Sequence, residues 1–510
     1  MLLKRIIQLT FLLGYFTAVP EVCCKDLVLS PADFHPVRRA GVIFPGKQPV
    51  EAATASVRKL PGRYLRIEAE IEVPQAKPDS CDVYRLRIEQ PGGPAREPIT
   101  VPILSPVKPR RILVLEPFYE ANPALPMTLR IERENGDPRN TCRESSALLS
   151  VRLIPMRKPD DNITVQPAHN YNSWPFIQTI GNKLVCAYSR GSAHTIDEPA
   201  RGVYARTSND GGKTWTEETL ISNEPDGGEV TIGKGTDSHG AMLVWVRCAG
   251  KNWHHDLYRT EDGVRFNRIA RIKPDPMPIQ ITDIFTVPGV GLMSLWFSGS
   301  YRNTPNNAWG TLVSTDDGKT WKQTVIESGL SKTEWPTEQS AVYLGGGRLL
   351  AIARVEGGAK DSTRALFQLE SEDSGKTWKR TRTNITDVLE STPSLILDRG
   401  RLYLYYFQRG TGQLKCRVAD PDLIRKNPLC WPAPEVVALG SREWHHAGNV
   451  NSVLYGNNHC LAFYSGNRKD TAVVVKMVPA KPSYRDRFKL KQYHKNRPGG
   501  VPDAGKDFDL

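Results

Sequence analysis

Ser208-Asn-Asp-Gly-Gly-Lys-Thr-Trp215 returns as Ser314-Thr-Asp-Asp-Gly-Lys-Thr-Trp321 and again as Ser371-Glu-Asp-Ser-Gly-Lys-Thr-Trp378. A degenerate copy, one residue shorter, reads Thr260-Glu-Asp-Gly-Val-Arg-Phe266, and the four starts lie 52, 54 and 57 residues apart. The pattern S-x-D-x-G-x-T-W has the chemistry of a hairpin turn. Ser and Asp side chains bond nearby backbone N–H groups, Gly takes the positive-φ position, and Trp is expected to pack back against the strand pair. Each copy follows a strand-like run: Gly202–Thr207, Leu257–Arg259, Trp309–Val313 and Ala365–Glu370. A period of about 50 residues built from short strands predicts a propeller. The copies mark blades ending near residues 217, 268, 323 and 380. The stretch from there to Ala480 holds further strand-like runs at Ser394–Leu397, Arg401–Phe407, Val450–Leu454 and Cys460–Tyr464, enough for two more blades. The expectation is six blades over residues 163–480, with Asp210, Asp262, Asp316 and Asp373 in structural turns rather than in chemistry.

Residues 26–158 lack the repeat. Alternating runs such as Tyr64–Val73, Val83–Ile88, Arg111–Leu115, Met127–Ile131 and Ala147–Ile154 predict half-buried strands, hence a β-sandwich ahead of the propeller. The fold class is therefore all-β. Residues 1–25 read as a signal peptide: Lys4 and Arg5 precede an apolar run from Ile6 to Val19, and small residues such as Ala18 follow. The predicted product is secreted or periplasmic, with no stable membrane insertion after processing. Residues 481–510 are basic, rich in Pro and Gly, and read as a loosely ordered tail.

The whole chain of 510 residues is 39% hydrophobic and 24% charged, which excludes a largely disordered protein. An excess of 68 Lys and Arg over 55 Asp and Glu favours anionic partners. No basic helix or aromatic–basic alternation points to nucleic acid. Nine cysteines show no zinc-type spacing, so no metal is expected. In an exported protein Cys81–Cys142 and Cys416–Cys430 are disulfide candidates, and buried thiols are the alternative.

Octapeptides of this kind in an exported six-bladed propeller resemble the sialidases (neuraminidases), where they are known as Asp-boxes or BNR repeats. The resemblance covers about residues 163–480. Its best match is Thr337-Glu338, a hydrophobic strand, a Gly-rich hairpin and a second strand ending in Arg354. It implies that Glu338 is the catalytic carboxylate and Arg354 one of the arginines that hold the substrate carboxylate, a task suited to a bidentate guanidinium. Arg190 closes a similar strand pair in blade one, and Arg409 one in blade five; the resemblance makes both substrate-binding. The loop after Arg190 stands where the family has its acid/base aspartate, so Asp197, Glu198 and His194 are the candidate proton donors.

Two positions depart from the pattern. Ser173-Trp174 stand where the family has its first arginine, and Ala447–Ser452 holds no tyrosine where the family has its nucleophile. Without that tyrosine Glu338 is left to activate water, as in phage-type sialidase domains. His254, His255 and Asp283 are further substrate-binding candidates from inter-strand loops. The leading expectation is a sialidase-type glycoside hydrolase for an acidic glycan that needs no cofactor. A non-catalytic glycan-binding propeller, or a hydrolase or lyase for a uronic acid-containing polysaccharide, is the alternative.

Overall fold

The computed structural model describes residues 26–34, 50–73, 82–92, 99–103, 110–134, 146–194, 200–225, 227–300, 306–356, 365–388, 391–443 and 446–480. The signal peptide and basic tail expected above lie outside these residues, as do Cys81 and Cys142.

Up to residue 155 the strands form two four-stranded sheets. One runs in the order Leu27–Leu29, Ala147–Pro155, Tyr64–Val73, Arg110–Glu120; the other in the order Val50–Val57, Met127–Glu134, Asp82–Glu89, Ile99–Ile103. The strand Tyr64–Val73 shows why they face each other. Its Leu65, Ile67, Ala69, Ile71 and Val73 are buried, and the residues between them are not. That apolar face shares one core with Tyr84, Leu86, Leu129 and Ile131 of the second sheet, which makes a sandwich.

From residue 163 onward the strands make six antiparallel blades. Blade one is Tyr171–Ile180, Lys183–Gly191, Gly202–Ser208 and Thr219–Ser222; blade two is Gly227–Thr236, Met242–Gly250, His254–Thr260 and Asn267–Ile272. Blade three starts with two short pieces, Gln280–Ile281 and Phe285–Val287, followed by Gly291–Ser298, Asn307–Ser314 and Lys322–Leu330. Blade four is Pro336–Gly345, Arg348–Val355, Phe367–Ser371 and Lys379–Arg382, and blade five is Ser394–Asp398, Arg401–Gln408, Gln413–Ala419 and Glu435–Leu439. Blade six supplies Ala447–Tyr455, Asn458–Gly466 and Thr471–Pro479, and takes its outer strand from Ile163–Gln166 at the other end of the propeller. The first strands of successive blades touch one another in a closed ring, so they line the axis. The sandwich leans on blade five, where the Gln413 amide donates to the Glu116 carboxylate at 2.8 Å and to the Phe118 carbonyl at 2.7 Å.

Each octapeptide joins the third strand of its blade to the fourth. In the three full copies the Ser hydroxyl accepts the Gly N–H, and one Asp oxygen accepts the Thr hydroxyl at 2.6 Å. The Thr hydroxyl and amide bonds hold Asp210, Asp316 and Asp373 down to about 2. The tryptophans do more than pack on their own strands: each lies in the seam with the preceding blade. Trp321 meets Trp245 of blade two edge-on at 5.2 Å, Trp378 meets Trp309 of blade three at 6.0 Å, and Trp215 joins Val475 and Tyr455 of blade six. The repeat is a staple between neighbouring blades.

Cys416 and Cys430 are separate thiols, which corrects the disulfide expected between them. Cys416 points into the core between blades five and six with Tyr405 and Leu414, whereas Cys430 ends the short helical turn Pro428–Cys430. Among the described residues no helix is long and apolar enough to cross a membrane.

The staple can be tested at Gly318, whose φ of +89° favours glycine and where an added Cβ would lie 2.9 Å from Leu257 of blade two. Gly289 has a similar φ of +78° with open space around it. Gly318→Ala is expected to lower the urea midpoint more than Gly289→Ala, because the second substitution adds only the backbone strain of about 1 kcal/mol. Equal shifts would mean that the octapeptide does not hold the blades together.

Candidate active site

The first strands of blades one, four and six share one irregularity. Pairing steps from Ser173↔Ser189 to Phe176↔Ala187, from Thr337↔Arg354 to Ser340↔Ile352, and from Gly448↔Tyr464 to Asn451↔Ala462. In each case one extra residue has been inserted into the inner strand, which is a β-bulge. The residue just after the break has a left-handed backbone: Trp174 at φ 50°, Glu338 at 47° and Asn449 at 48°. Left-handed conformations are unfavourable for residues with a Cβ, so these three turns of backbone are held by their surroundings and re-aim the side chains they carry. Trp174 and Asn449 line a narrow axial cavity with Ile232, Asp283, Gln339 and Thr392, so every blade contributes to its wall.

Glu338 lies at the edge of this ring and is only 7% exposed. Its Oε1 accepts from Arg354 Nη1 at 2.9 Å, and its Oε2 accepts from the Thr392 hydroxyl of the blade-five entry at 2.6 Å. Arg354 Nη2 meets the buried Glu356 at 2.7 Å. From blade five, Arg409 Nη2 donates to Asn449 Oδ1 at 3.2 Å and reaches the Tyr464 hydroxyl at 3.5 Å. Glu338, Arg354 and Arg409 are thus brought together, with Tyr464 beside them.

Tyr464 opens a second half of the cluster. Its ring stacks with His194 at 6.5 Å, and His194 also tilts against Trp174 at 5.2 Å. The Tyr171 hydroxyl lies 3.2 Å from His194 Nδ1 and 3.0 Å from His446 Nδ1. A phenol has one proton, so it donates to one imidazole and accepts from the other. Burial pushes the Tyr171 phenol far above its ordinary value and raises Tyr464 too, where Glu338 adds to the rise and Arg409 opposes it. Burial lowers His446, which favours its neutral ring. Arg201, fully buried, bonds the hydroxyls of Ser173 and Ser189 and the Ala193 carbonyl, with its guanidinium 5.0 Å from the Trp174 ring centre.

Sequence reasoning missed Tyr171, Tyr464 and Arg201 as members of this cluster. The missing-tyrosine expectation looked for a tyrosine at the blade-six bulge, where Asn449 stands. Tyr464 instead occupies the paired strand opposite Gly448, the place that Arg354 holds opposite Thr337 in blade four. Counting hairpin register was the available signal. Arg201 takes up the serines of blade one, where the family pattern has an arginine on the strand itself.

Other expected site residues fall elsewhere. Arg190 pairs with Glu218 at 2.7 Å and stacks over Tyr204 at 4.1 Å, because it follows Tyr188 by two positions and shares that residue's face of the strand. Asp283 accepts from the Lys234 amide at 3.1 Å and from Asn451 at 3.0 Å, pinning blades two, three and six together at the axial cavity. His254 and His255 are fully buried on the third strand of blade two, not on the ring of first strands. His255 Nε2 is 3.0 Å from the Pro278 carbonyl. Arg190, His254 and His255 are thus engaged by Glu218, by Glu224 and Asp256, and by the Pro278 carbonyl, outside the contacts that join Glu338, Arg354 and Arg409. Asp197 and Glu198 lie outside the described residues.

No family model matches the chain, and no curated protein matches it. Among solved structures, a Dyadobacter fermentans protein of unknown function is similar at a TM-score of 0.50 and 16% identity, over 63% of this chain and 99% of that one. This is a likeness of fold. The Trypanosoma rangeli sialidase in complex with sialic acid gives a TM-score of 0.46 at 12% identity, over 66% of this chain and 61% of the enzyme. The K499G mutant of the NanB sialidase from Streptococcus pneumoniae gives 0.47 at 10% identity, over 88% of this chain and 99% of that one.

His255 sets a pH test of the fold beside the site. Burial, with Arg247 nearby, lowers it from 6.5 to about 3. The unfolded chain therefore takes up this proton first, so the stability it contributes is complete above pH 6.5 and is lost as pH falls toward 3. Across that window the urea midpoint of wild type is expected to fall more steeply than that of His255→Gln. Parallel curves would contradict a neutral, buried His255.

Proposed function

We propose that the protein is an exported glycoside hydrolase of the sialidase type, acting on terminal or internal sialic acid or a similar acidic sugar. The observation that carries this reading is the meeting of Glu338, Arg354, Arg409 and Tyr464 from three blades around the strained bulges at Glu338 and Asn449. Arg354 and Arg409 are suited to the sugar carboxylate, and Trp174 to stacking on the ring face. The transition state of such a hydrolysis carries positive charge on the anomeric carbon, which the Glu338 carboxylate stabilises. Glu338 also serves as the base, either for the Tyr464 phenol as nucleophile or for a water. The proton for the leaving oxygen comes from His194, or from Asp197 or Glu198 in the loop after it. Cleavage then breaks the glycosidic C–O bond; water supplies the new hydroxyl on the sugar, and its other proton, taken by Glu338, passes to solvent as the proton donor is restored.

Two observations favour a second reading, a glycan-binding propeller without hydrolysis. Both Glu338 oxygens already accept hydrogen bonds, and Tyr464 is fully buried. A uronic acid in place of sialic acid would use the same arginines.

Release of free sialic acid from sialyllactose and from polysialic acid separates these. Wild type is expected to release it, and Glu338→Gln to lose roughly 10²–10⁴-fold in kcat. A comparable loss in Tyr464→Phe would assign the attack to the phenol; near-wild-type turnover would assign it to water. No release from either substrate, with binding still measurable by calorimetry, would favour the lectin reading.

A further inference from the structure

Blade two carries a second cluster, apart from the axial site. Glu224 sits in the connection from blade one, Cys248 lies near the end of the second strand of blade two, and His254 begins the third, in register opposite Cys248. Glu224 Oε2, Cys248 Sγ and His254 Nε2 all lie within 4.8 Å of one another. Nε2 is 3.7 Å from Glu224 Oε2, Sγ is 3.9 Å from the same oxygen, and Asp256 Oδ2 is 3.7 Å from Nε2. The edges of a tetrahedron around zinc are about 3.3 Å between N and O ligands and about 3.6 Å between S and O, so a contraction of a few tenths of an ångström completes the two edges that meet at Glu224 Oε2.

The state of His254 is an independent pointer to a ligand. Its side chain is 1% exposed. Nδ1 lies 2.5 Å from the Asn252 carbonyl, which can only accept, so Nδ1 carries a proton and Nε2 is the ring nitrogen turned to the cluster. That buried Nε2 has no hydrogen-bond partner. A buried polar nitrogen left unmatched is costly, and a backbone-anchored Nδ1–H is the usual support of a metal-ligating Nε2. The surroundings also orient the carboxylates. Arg271 and Arg268 hold Oε1 of Glu224, leaving Oε2 toward the histidine and thiol. Gly227 gives the thiol its room, since a Cβ there would fall 2.5 Å from Cys248 Sγ.

We propose that Glu224, Cys248 and His254 bind a thiophilic divalent cation, zinc fitting this N, S, O donor set best, with a water as fourth ligand, since Arg271 and Arg268 hold both oxygens of Asp256. Binding converts the Cys248 thiol to thiolate and releases its proton to solvent. The ion ties the connection leaving blade one to two strands of blade two, a clamp on the propeller that is independent of the axial chemistry.

The test uses the full chain, stripped with a chelator and titrated with zinc and then with cobalt. One equivalent of zinc is expected to bind and raise Tm, and cobalt is expected to give a near-ultraviolet thiolate charge-transfer band. Cys248→Ser should lose that band, and His254→Gln should bind zinc roughly 10–100-fold more weakly. The cobalt spectrum of wild type needs no variant to fold. No zinc uptake, cobalt uptake without the thiolate band, or unchanged zinc affinity in folded Cys248→Ser would each overturn the proposal.

Discussion

The hydrogen bonds at the seam between blades one and six close the ring, and the rest of the propeller depends on them. Blade six has three strands of its own and is completed only when Ile163–Gln166 pairs with Thr471–Pro479. At the inner end of the seam the Asn172 amide donates to the Thr471 carbonyl at 2.7 Å, and the Thr471 amide donates to the Asn170 carbonyl at 3.1 Å. These partners are about 300 residues apart in the chain, so loop-closure entropy opposes the contact until the intervening blades have formed. Tyr171 sits on that seam, paired with Thr471 and touching His194 of blade one and His446 before blade six. Half of the candidate site is therefore assembled by ring closure.

The other half is assembled by the bulges. A regular inner strand would alternate its side chains between the two blade interfaces. One inserted residue with a left-handed backbone redirects Trp174, Glu338 and Asn449, at a cost of order 1–3 kcal/mol each. Neighbouring blades hold the three in place, through Thr231 to the Trp174 carbonyl, Thr392 to Glu338 and Arg409 to Asn449, and Arg354 of the same blade adds a second bond to Glu338. Strain of this kind persists where the surroundings over-determine it, and here it is concentrated around one axis.

The octapeptides made the propeller and four of its blades legible, because a turn that needs Ser, Asp, Gly and Thr at fixed offsets leaves an unmistakable trace, and the strand-like runs after them supplied the other two. Glu338 and Arg354 were legible as the two arms of a hairpin. What the sequence hides is which blade interface a side chain faces. Arg190 looked like a site arginine because it ends a strand, yet its alternation sends it to Glu218. Tyr464 looked misplaced because it is not at the bulge, yet hairpin register puts it opposite Gly448. Arg201 gave no signal, since its role depends on reaching back across a neighbouring strand to Ser173 and Ser189. His254 and His255 suggested a polar pocket, but their strand is third from the axis. The same burial that keeps His254 off the ring of first strands leaves its Nε2 facing Cys248 and Glu224.

The central claim is that the arginines around Glu338 recognise a sugar through its carboxylate. Calorimetric titration of the wild-type chain with sialic acid and with its methyl ester tests this most directly, because the ester keeps the ring and removes the charge. The account predicts binding of the acid and an affinity for the ester lower by at least about tenfold, the loss of one charge-assisted bidentate contact. Equal affinity for both, or binding of neither, would contradict it.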